Sequence, residues 1–457
     1  MLNRNKEYCL FLFFIFMLSL LLLKGKWYMK NLTIKNIGAI KEVSIELNKI
    51  NVIMGPQSSG KSTICKIASY CKWVEKKICL SQSPDSYQSQ TFLEERLVKF
   101  HKLEGYFSEN SYIRYETDTL IVVYDAKNGN QVELKDPCGY QRSKVAYIPA
   151  ERNIVSVINN WFEVRFKETN IRSFMIDWDD SRKNYSKSNP LSIINFDMKY
   201  YFDDTTGKDL VFIDNGKLLE LTNTSSGLQS LIPLLVLTDY LISHLNRIDE
   251  KSSVADEVLK KKVIQSIYEE YFEIKNFDFP QEEGDVLLFV DEQRLFKSSE
   301  DKERFDTVID HMFKTQSVNL YIEEPELNLF PSAQKILLYE LIKQISVRES
   351  DRLIITTHSH YILYALNNCM MGYLIKDKMP EEVQNEIECR GSWIDPALVS
   401  VWEIKDGYLE GIDKMQNATI QQEDGLIGNN YFDSNMREIM DDFYKMLNYY
   451  GDDSDED

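Results

Sequence analysis

The sequence predicts an α/β fold built on a mixed sheet, and three observations lead to this prediction. A short apolar strand at residues 52–54 enters a glycine loop, after which apolar residues recur at helical spacing as far as Ile78. Two later apolar strands, at 318–322 and 353–355, end in paired glutamates and in a Thr-Thr-His sequence. A serine-glycine segment, "SSGLQS", opens a long apolar helix in mid-chain. Strand, loop and helix therefore alternate, as in α/β proteins.

The composition is that of a folded globular protein, and it limits the partners. Hydrophobic residues make up 43% of the 457 residues and charged residues 27%, so a sizeable core is expected. The formal net charge is −19, and so acidic a chain would meet nucleic acid only through a local basic patch. Seven cysteines without a C-x-x-C pair favour neither a disulfide scaffold nor a structural zinc site. We expect reduced thiols in a cytoplasmic protein.

The first 28 residues contain an apolar run at 9–23 with basic residues on both sides. This run is shorter than the ~20 residues that span a bilayer comfortably, and no small-residue cleavage site follows it. Three interpretations stay open: a start misplaced ahead of Met29, a membrane anchor with the following lysines on the cytoplasmic side, and a cleaved signal. Contact with a membrane is expected only if 9–23 is an anchor.

The rest of the chain is predicted as one divided head with a helical end. The predicted divisions are an apolar extension at 1–28, a head at 29–420 interrupted by insertions around 80–145, 153–221 and 246–315, a helical segment at 421–448 and an acidic tail at 449–457. The further elements predicted are a helix at 92–103, a hairpin at 120–132, a strand at 145–149, a buried helix at 227–245 that Pro233 either kinks or delays, a polar helix at 251–275, a helix at 333–346, a hairpin at 399–412 and a helix at 435–447.

The segment after the strand at 52–54 fits the phosphate-binding pattern G-x-x-x-x-G-K-[ST] in full. In such a loop the glycines let backbone N–H groups face phosphate oxygens, and the next helix adds the positive end of its dipole. Lys61 is expected to reach the β- and γ-phosphates, and Ser62 to ligate Mg²⁺. The loop residues predicted to bind the cofactors, ATP and Mg²⁺, are Gly55, Pro56, Gln57, Ser58, Ser59, Gly60, Lys61, Ser62 and Thr63.

Two later strand ends carry candidates for catalysis. In P-loop enzymes a carboxylate at a strand end holds Mg²⁺, usually through water, and in one branch the next carboxylate polarises the attacking water. Glu323 suits the first role and Glu324 the second. His358, which closes the following strand, could bond the γ-phosphate or the attacking water. His360 has no separate support, and we expect it to be structural or solvated.

These motifs together resemble the ABC-type ATPase heads of the RecF, SMC and OLD-nuclease group, often described as AAA-family ATPases. The segments "IEEPELNLFP" and "TTHSHYIL" match most closely, and the likeness covers most of 29–447. The resemblance implies a P-loop NTPase fold with a helical signature lobe, in which Glu324 is the catalytic carboxylate and His358 the switch histidine. It also implies a homodimer with ATP between the protomers, where Ser226 and Gly227 of "SSGLQS" meet the γ-phosphate on the opposing protomer.

The sequence departs from the pattern of that group in several places. His360 stands where relatives commonly have proline, and Asn328 and Phe330 stand where many have histidines. The glutamine loop on the adenine side is not obvious, although "YIPAER", with Glu151 and Arg152, has about the right position. A nuclease domain is not expected, because few residues follow His360 and the D-x-D pair in mid-chain precedes the signature segment. Zinc-hook relatives need long heptads and C-x-x-C, and both are missing.

The favoured function is an ATP-hydrolysing, dimerising switch that regulates a separate effector protein in phage defence or genome maintenance. The alternative is a repair ATPase that acts directly on DNA, which the net charge of −19 does not favour. A nucleotide-binding subunit of a transporter is less favoured, because one short apolar run cannot form a translocation path. The interval between phosphate loop and signature segment is also longer than a transporter head needs.

Overall fold

The computed structural model describes residues 30–450 except 82–86, 88–92, 136–139, 159–160, 164–166, 195–196, 214–215, 245–305, 308, 310 and 412–417. The predictions for the N-terminal extension, for the polar helix at 251–275 and for most of the acidic tail lie outside the described residues.

The described residues form two sheets. In chain order the strands are β1 (Asn31–Ile37), β2 (Ile40–Glu46), β3 (Ile50–Met54), β4 (Phe107–Glu116), β5 (Leu120–Asp125), β6 (Gly129–Leu134), β7 (Ser143–Ile148), β8 (Leu191–Ile193), β9 (Met198–Asp203), β10 (Lys208–Ile213), β11 (Leu218–Glu220), β12 (Ser317–Glu323), β13 (Arg352–Thr357), β14 (Val399–Lys405) and β15 (Tyr408–Glu410). The larger sheet has 11 strands in the order β6-β5-β4-β1-β2-β15-β14-β3-β13-β12-β7. The run β14-β3-β13-β12-β7 is parallel and the run from β6 to β2 is antiparallel, so the predicted mixed sheet is confirmed.

The parallel half brings three strand ends to one edge of the sheet. Thr357 of β13 pairs with Met54 of β3, and Glu323 of β12 pairs with Thr356 of β13. Because parallel strands all end at the same edge, the loops after β3, β12 and β13 lie side by side. The phosphate loop, the paired glutamates and the Thr-Thr-His segment, for which the sequence predicts functional roles, are therefore neighbours.

The described residues also form seven α-helices of six residues or more. They are α1 (Lys61–Ser81), α2 (Asn170–Arg182), α3 (Ser226–Ser243), α4 (Pro331–Ile345), α5 (His360–Ile375), α6 (Glu381–Glu386) and α7 (Tyr431–Leu447). Of these, α1, α3, α4 and α5 pack against the parallel strands. Ile53 and Ile354 belong to the core that includes α1, whereas Val52 and Ile355 belong to the core that includes α3, α4 and α5. Burial on both faces explains why these strands are continuously apolar in the sequence.

Helix α3 begins at Ser226 and continues through Pro233 to Ser243, so the late start that proline could have caused does not occur. Most of its side chains are buried. In the part of the chain that the structure describes, it is the one helix long and apolar enough to cross a membrane, and 67% of it is buried inside the protein. Such burial is expected of a core helix.

Two further regions, 153–221 and 92–103, differ from the sequence predictions or extend them. The stretch at 153–221 folds into α2 and the small sheet β11-β10-β9-β8, between which Trp178 and Tyr200 are fully buried. The helix predicted at 92–103 is a π-helical turn at Glu94–Lys99, and the chain leaves it through left-handed backbone at Lys102.

The last helix, α7, starts at Tyr431 rather than 435, because Asn430 caps it. The Asn430 side chain accepts from the backbone N–H of Phe432, and the Asp433 carboxylate accepts from the backbone N–H of Asn430 in return. Apolar side chains of α7 such as Ile439, 65% exposed, and Phe443, 50% exposed, face solvent.

Candidate functional site

The loop between β3 and α1 has the backbone of a phosphate-binding loop. Three residues have positive φ angles: 144° at Gly55, 61° at Ser58 and 110° at Gly60. A Cβ atom at Gly55 would lie 2.3 Å from the carbonyl oxygen of Ile404, and one at Gly60 would lie 2.8 Å from a side-chain carbon of Ile40. Both glycines are therefore required by backbone conformation and by close approach.

Lys61 begins α1 and points back into the loop. Its Nζ donates to the carbonyl oxygens of Gly55 (2.9 Å) and Pro56 (2.6 Å), and only 4% of the residue is exposed. Burial lowers the pKa of Lys61 to about 8, against the opposing charges of Glu324 and Glu326. Among the described residues, no carboxylate forms an ion pair with Lys61, so its ammonium is available to an anion.

The other predicted loop residues divide into an outer and an inner group. Gln57 and Ser58 are exposed, Pro56, Ser59, Gly60 and Ser62 are half-buried, and Thr63 is buried. The outer residues can meet a nucleotide directly. Thr63, with 5% exposed surface, lies behind the loop.

Glu323 and Ser62 lie together at the end of β12 and the start of α1. Burial raises the pKa of the Glu323 carboxyl, while the charge of Lys66 and the nearby hydroxyls of Tyr147 and Ser62 oppose that shift. Among the described residues, Glu323 Oε1 is buried and has no hydrogen-bond partner. A buried carboxylate oxygen without a partner beside a hydroxyl fits a hard cation.

The surroundings of Glu323 fit a metal that takes most of its ligands from nucleotide and water. Within the described ranges, no group of three or more His, Cys, Asp or Glu side chains is placed to hold a metal ion by itself. Mg²⁺ in nucleotide sites is commonly held by few protein oxygens, together with phosphates and waters. Ser62 and Glu323 are the residues that would hold it here.

Glu324 adopts left-handed backbone, with φ of 44°, directly after β12. Its N–H donates to the carbonyl oxygen of Thr356 (2.9 Å), and its Oε1 lies 3.3 Å from Nε2 of His358. Burial and the charge of Lys61 lower the pKa of His358, although the Glu324 carboxylate acts in the opposite direction. The geometry pairs a half-buried carboxylate with an imidazole that is neutral at pH 7.

Glu326 is a member of the site that the sequence reasoning missed. Its Oε1 accepts from the hydroxyl of Thr357 (2.9 Å) and from the backbone N–H of His358 (2.6 Å). Burial raises the pKa of Glu326, and its Oε2 has no partner among the described residues. The third glutamate of "IEEPE" therefore fixes the segment that presents His358. The position of Glu326 in the "IEEPE" motif is the sequence feature that could have indicated this role.

Arg152 does not serve the adenine side, in contrast to its candidacy in the sequence. No part of the residue is exposed, and all five of its N–H groups donate to backbone carbonyls. Two of those carbonyls belong to Glu323 and Glu324. Arg152 therefore supports the strand end that carries Glu323 and Glu324, whereas its neighbour Glu151 is exposed.

The predicted signature segment forms the start of α3. Ser225 is the N-cap, and its Oγ accepts from the N–H of Leu228 (3.4 Å). Ser226 is exposed and Gly227 half-buried, and their N–H groups, which have no acceptor in the described part of the chain, are open to an anion. A Cβ atom at Gly227 would lie 3.0 Å from the carbonyl oxygen of Asn328. The start of α3 thus packs on the segment that follows Glu324.

Comparisons with known proteins find a family of ATPases that matches part of the chain, and solved structures that are similar to it. The family described as "AAA ATPase domain" matches residues 310–363, which include Glu323, Glu324 and His358. No curated protein is significantly similar in sequence. Solved structures similar to this chain include an SMC head domain from Thermotoga maritima, with 12% identity over 74% of this chain and 91% of that chain and a TM-score of 0.33. They also include an Smc head from Pyrococcus furiosus bound to the C-terminal domain of ScpA, with 8% identity over 83% and 94% and a TM-score of 0.31. A RecF structure with a bound ATP analogue has 12% identity over 84% and 97% and a TM-score of 0.26.

Proposed function

We propose that this chain is an ATPase of the ABC type and works as a switch that closes on ATP between two copies of itself. The supporting observation is how the nucleotide-binding elements are divided. The phosphate loop, Glu323 and Glu324 converge at one edge of the sheet. The start of α3 packs instead on the segment after Glu324, where a Cβ atom at Gly227 would lie 3.0 Å from the carbonyl oxygen of Asn328. In this proposal a second copy supplies the N–H groups of Ser226 and Gly227 to the same ATP.

The residues of one copy would divide the work at the triphosphate. Lys61 would exchange its two carbonyl partners for phosphate oxygens, which are stronger acceptors because they are charged. Ser62 and Glu323 would hold Mg²⁺, which when bound neutralises charge on the phosphate oxygens. Glu324 would accept a proton from the attacking water, and His358, 3.3 Å away, would fix the orientation of that carboxylate.

The second copy would complete the site with a helix start. Helix α3 has a side-chain cap at Ser225 that accepts from Leu228, and the N–H groups of Ser226 and Gly227 have no acceptor in the described part of the chain. A γ-phosphate would accept from them and would also meet the positive end of the helix dipole. Hydrolysis would remove that ligand, so the two copies would separate, and ATP would set the state of the switch.

Nucleotide dependence is tested with Lys61→Ala, measured as binding of a fluorescent ATP analogue and as phosphate release. Lys49→Ala is a matched control, because Lys49 is also buried and also donates to two backbone carbonyls, those of Arg348 and Glu349, away from the site. We expect Lys61→Ala to lose binding and turnover and Lys49→Ala to keep both. Normal binding and turnover in folded Lys61→Ala would refute the proposal.

A separate effector protein is the remaining part of the proposal. It is motivated by the phosphate loop, the strand-end glutamates and the serine-glycine helix start, which together suit an ATP-driven switch that acts on another protein. The test is the mass of the complex recovered with tagged Glu324→Gln protein in Mg-ATP. A second protein in fixed ratio is expected. A homodimer alone that binds DNA in a salt-dependent way would favour direct action on DNA instead.

A further inference from the structure

Arg152 joins three separate segments of the chain through one buried guanidinium. It lies in the 3₁₀ turn Ala150–Asn153 after β7 and is 0% exposed. Its acceptors are the carbonyl oxygens of Ser230 (3.1 Å, from Nε), Pro149 (3.4 Å) and Glu323 (2.9 Å) from Nη1, and Glu324 (2.8 Å) and Pro325 (3.1 Å) from Nη2. A planar group with five donors suits this set, because each N–H has its own acceptor.

We infer that Arg152 is a positioning residue that holds Glu324 in its reactive place and ties that place to the signature helix α3. The inference rests on the proposed function and adds to it a route by which the second copy controls hydrolysis. Contact of the α3 start with the nucleotide of the second copy would be transmitted through Ser230 and Arg152 to the catalytic carboxylate.

Glu324 needs such support because its backbone is unfavourable on its own. A left-handed conformation is disfavoured for any residue with a Cβ atom, and Glu324 has φ of 44°. Three consecutive carbonyls, from Glu323 to Pro325, point at the Arg152 guanidinium. Without it these carbonyls would lose their charged donor, and the turn could relax and carry the carboxylate away from the water.

Asn328 provides a second set of contacts between α3 and the segment after Glu324, in addition to those of Arg152. The Asn328 side-chain amide donates to Oγ of Ser230 (2.9 Å), and the Asn328 carbonyl oxygen packs on Gly227. Helix α3 therefore contacts the catalytic segment both directly and through Arg152. A displacement of the first turns of α3 would therefore change the position of Glu324.

The charge of Arg152 interacts with the carboxyl groups of the candidate site. Three carboxyl groups, those of Glu326, Glu324 and Glu323, act on the guanidinium and oppose the effect of its burial. The pKa of Arg152 falls only to about 10, so the group stays protonated at neutral pH. The connection is therefore not switched by pH in the physiological range, and a neutral replacement would leave three carboxyl groups without their shared counter-charge.

The test compares Arg152→Lys and Arg152→Met with the unaltered protein. Lysine keeps the charge but has three donors on one nitrogen, so it cannot reach all three segments. We expect kcat to fall on the order of 100-fold in Arg152→Lys, as for a misplaced catalytic group, and further in Arg152→Met. The affinity for a fluorescent ATP analogue and the ATP-dependent dimer, measured by sedimentation, should stay unchanged, because Lys61 and α3 are intact.

Arg182→Lys is the matched control for loss of a buried arginine. Arg182 is 7% exposed and bonds Asp179 and Asp209, far along the chain from the strand-end glutamates. It should lower the melting temperature without lowering kcat. If Arg152→Lys does not fold, Asn328→Ala, which removes only the second link, is expected to lower kcat at unchanged ATP affinity.

Two results would overturn the inference. One is normal kcat in folded Arg152→Lys, or in Asn328→Ala when the arginine variants do not fold. The other is a loss of ATP affinity in step with kcat, which would make Arg152 a general structural residue. Failure of the proposed function looks different, because Lys61→Ala would then retain ATP turnover.

Discussion

Replacement of Glu324 by glutamine tests the chemical step with the smallest structural change. The amide has the same shape as the carboxylate, so the left-handed turn, the backbone bond to Thr356 and the neighbourhood of His358 should persist. What is lost is the ability to accept a proton from water. A positioned general base contributes about 10²–10⁴ in rate, so we expect turnover to fall at least ~100-fold, equivalent to about 3 kcal/mol in the barrier.

The affinity of Glu324→Gln for ATP should not fall with the turnover rate. The Glu324 charge is one of two that act on Lys61, and it would face the negative triphosphate. Its removal should leave affinity for ATP the same or higher, and bound ATP should accumulate together with the dimer. Single-turnover phosphate release measures the chemical step, and equilibrium binding of a fluorescent analogue measures affinity.

Glu340→Gln provides the control for this experiment. The Glu340 side chain is 28% exposed, as is that of Glu324, but it lies on α4 outside the site. It should leave turnover unchanged. If Glu324→Gln turns over at the rate of Glu340→Gln, Glu324 is not the base, and the reasoning from its position after β12 is refuted.

Three further predictions concern glycine positions and pH. Gly55→Ala should abolish ATP binding, because its Cβ would lie 2.3 Å from the Ile404 carbonyl oxygen. The control Gly216→Ala, with φ of 78° and no atom near the added Cβ, should keep ATP binding. Equal affinities of the two variants in an equilibrium titration would contradict this prediction. Gly372→Ala, whose Cβ would lie 2.1 Å from the Trp393 indole nitrogen, should cost about 1–3 kcal/mol in a denaturant titration, and an unchanged midpoint would count against it. Because the folded pKa of His358 is lowered, the folded state binds fewer protons than the unfolded one as pH falls below about 6.5, so stability should decline there. The kcat/KM value should decline only at a lower pH, where the folded imidazole is protonated, and an acid limb above pH 7 would contradict a neutral imidazole.

The elements that carry the candidate site residues could be predicted because local motifs determine them. The loop from Gly55 to Ser62 depends on glycines and a lysine at fixed spacing, and the strands before Glu323 and His358 are short apolar runs. Neighbouring residues determine both features, so one segment is enough to recognise them. Parallel pairing then brings the three segments together, which requires only that β3, β12 and β13 run in the same direction.

The parts that were missed depend on contacts between distant segments. Arg152 bonds backbone carbonyls at 149, 230 and 323–325, and a carbonyl acceptor has no identity in the sequence. Short strands such as β8 and β11, with three residues each, carry too few positions for a period of two to be recognised. The early start of α7 was readable, since Asn430 and Asp433 have the spacing of a capping box.

The central claim, that one ATP is shared by two copies, is tested most directly by mixing two inactive variants. Lys61→Ala lacks a phosphate loop that binds but keeps the start of α3, and Ser226→Arg blocks that start but keeps the loop. In a mixed dimer, one site combines the intact loop of one copy with the intact helix start of the other. The account predicts ATPase activity in the mixture that neither variant shows alone. No recovery, with both variants folded and able to form mixed dimers, would mean that each copy builds its site from its own residues.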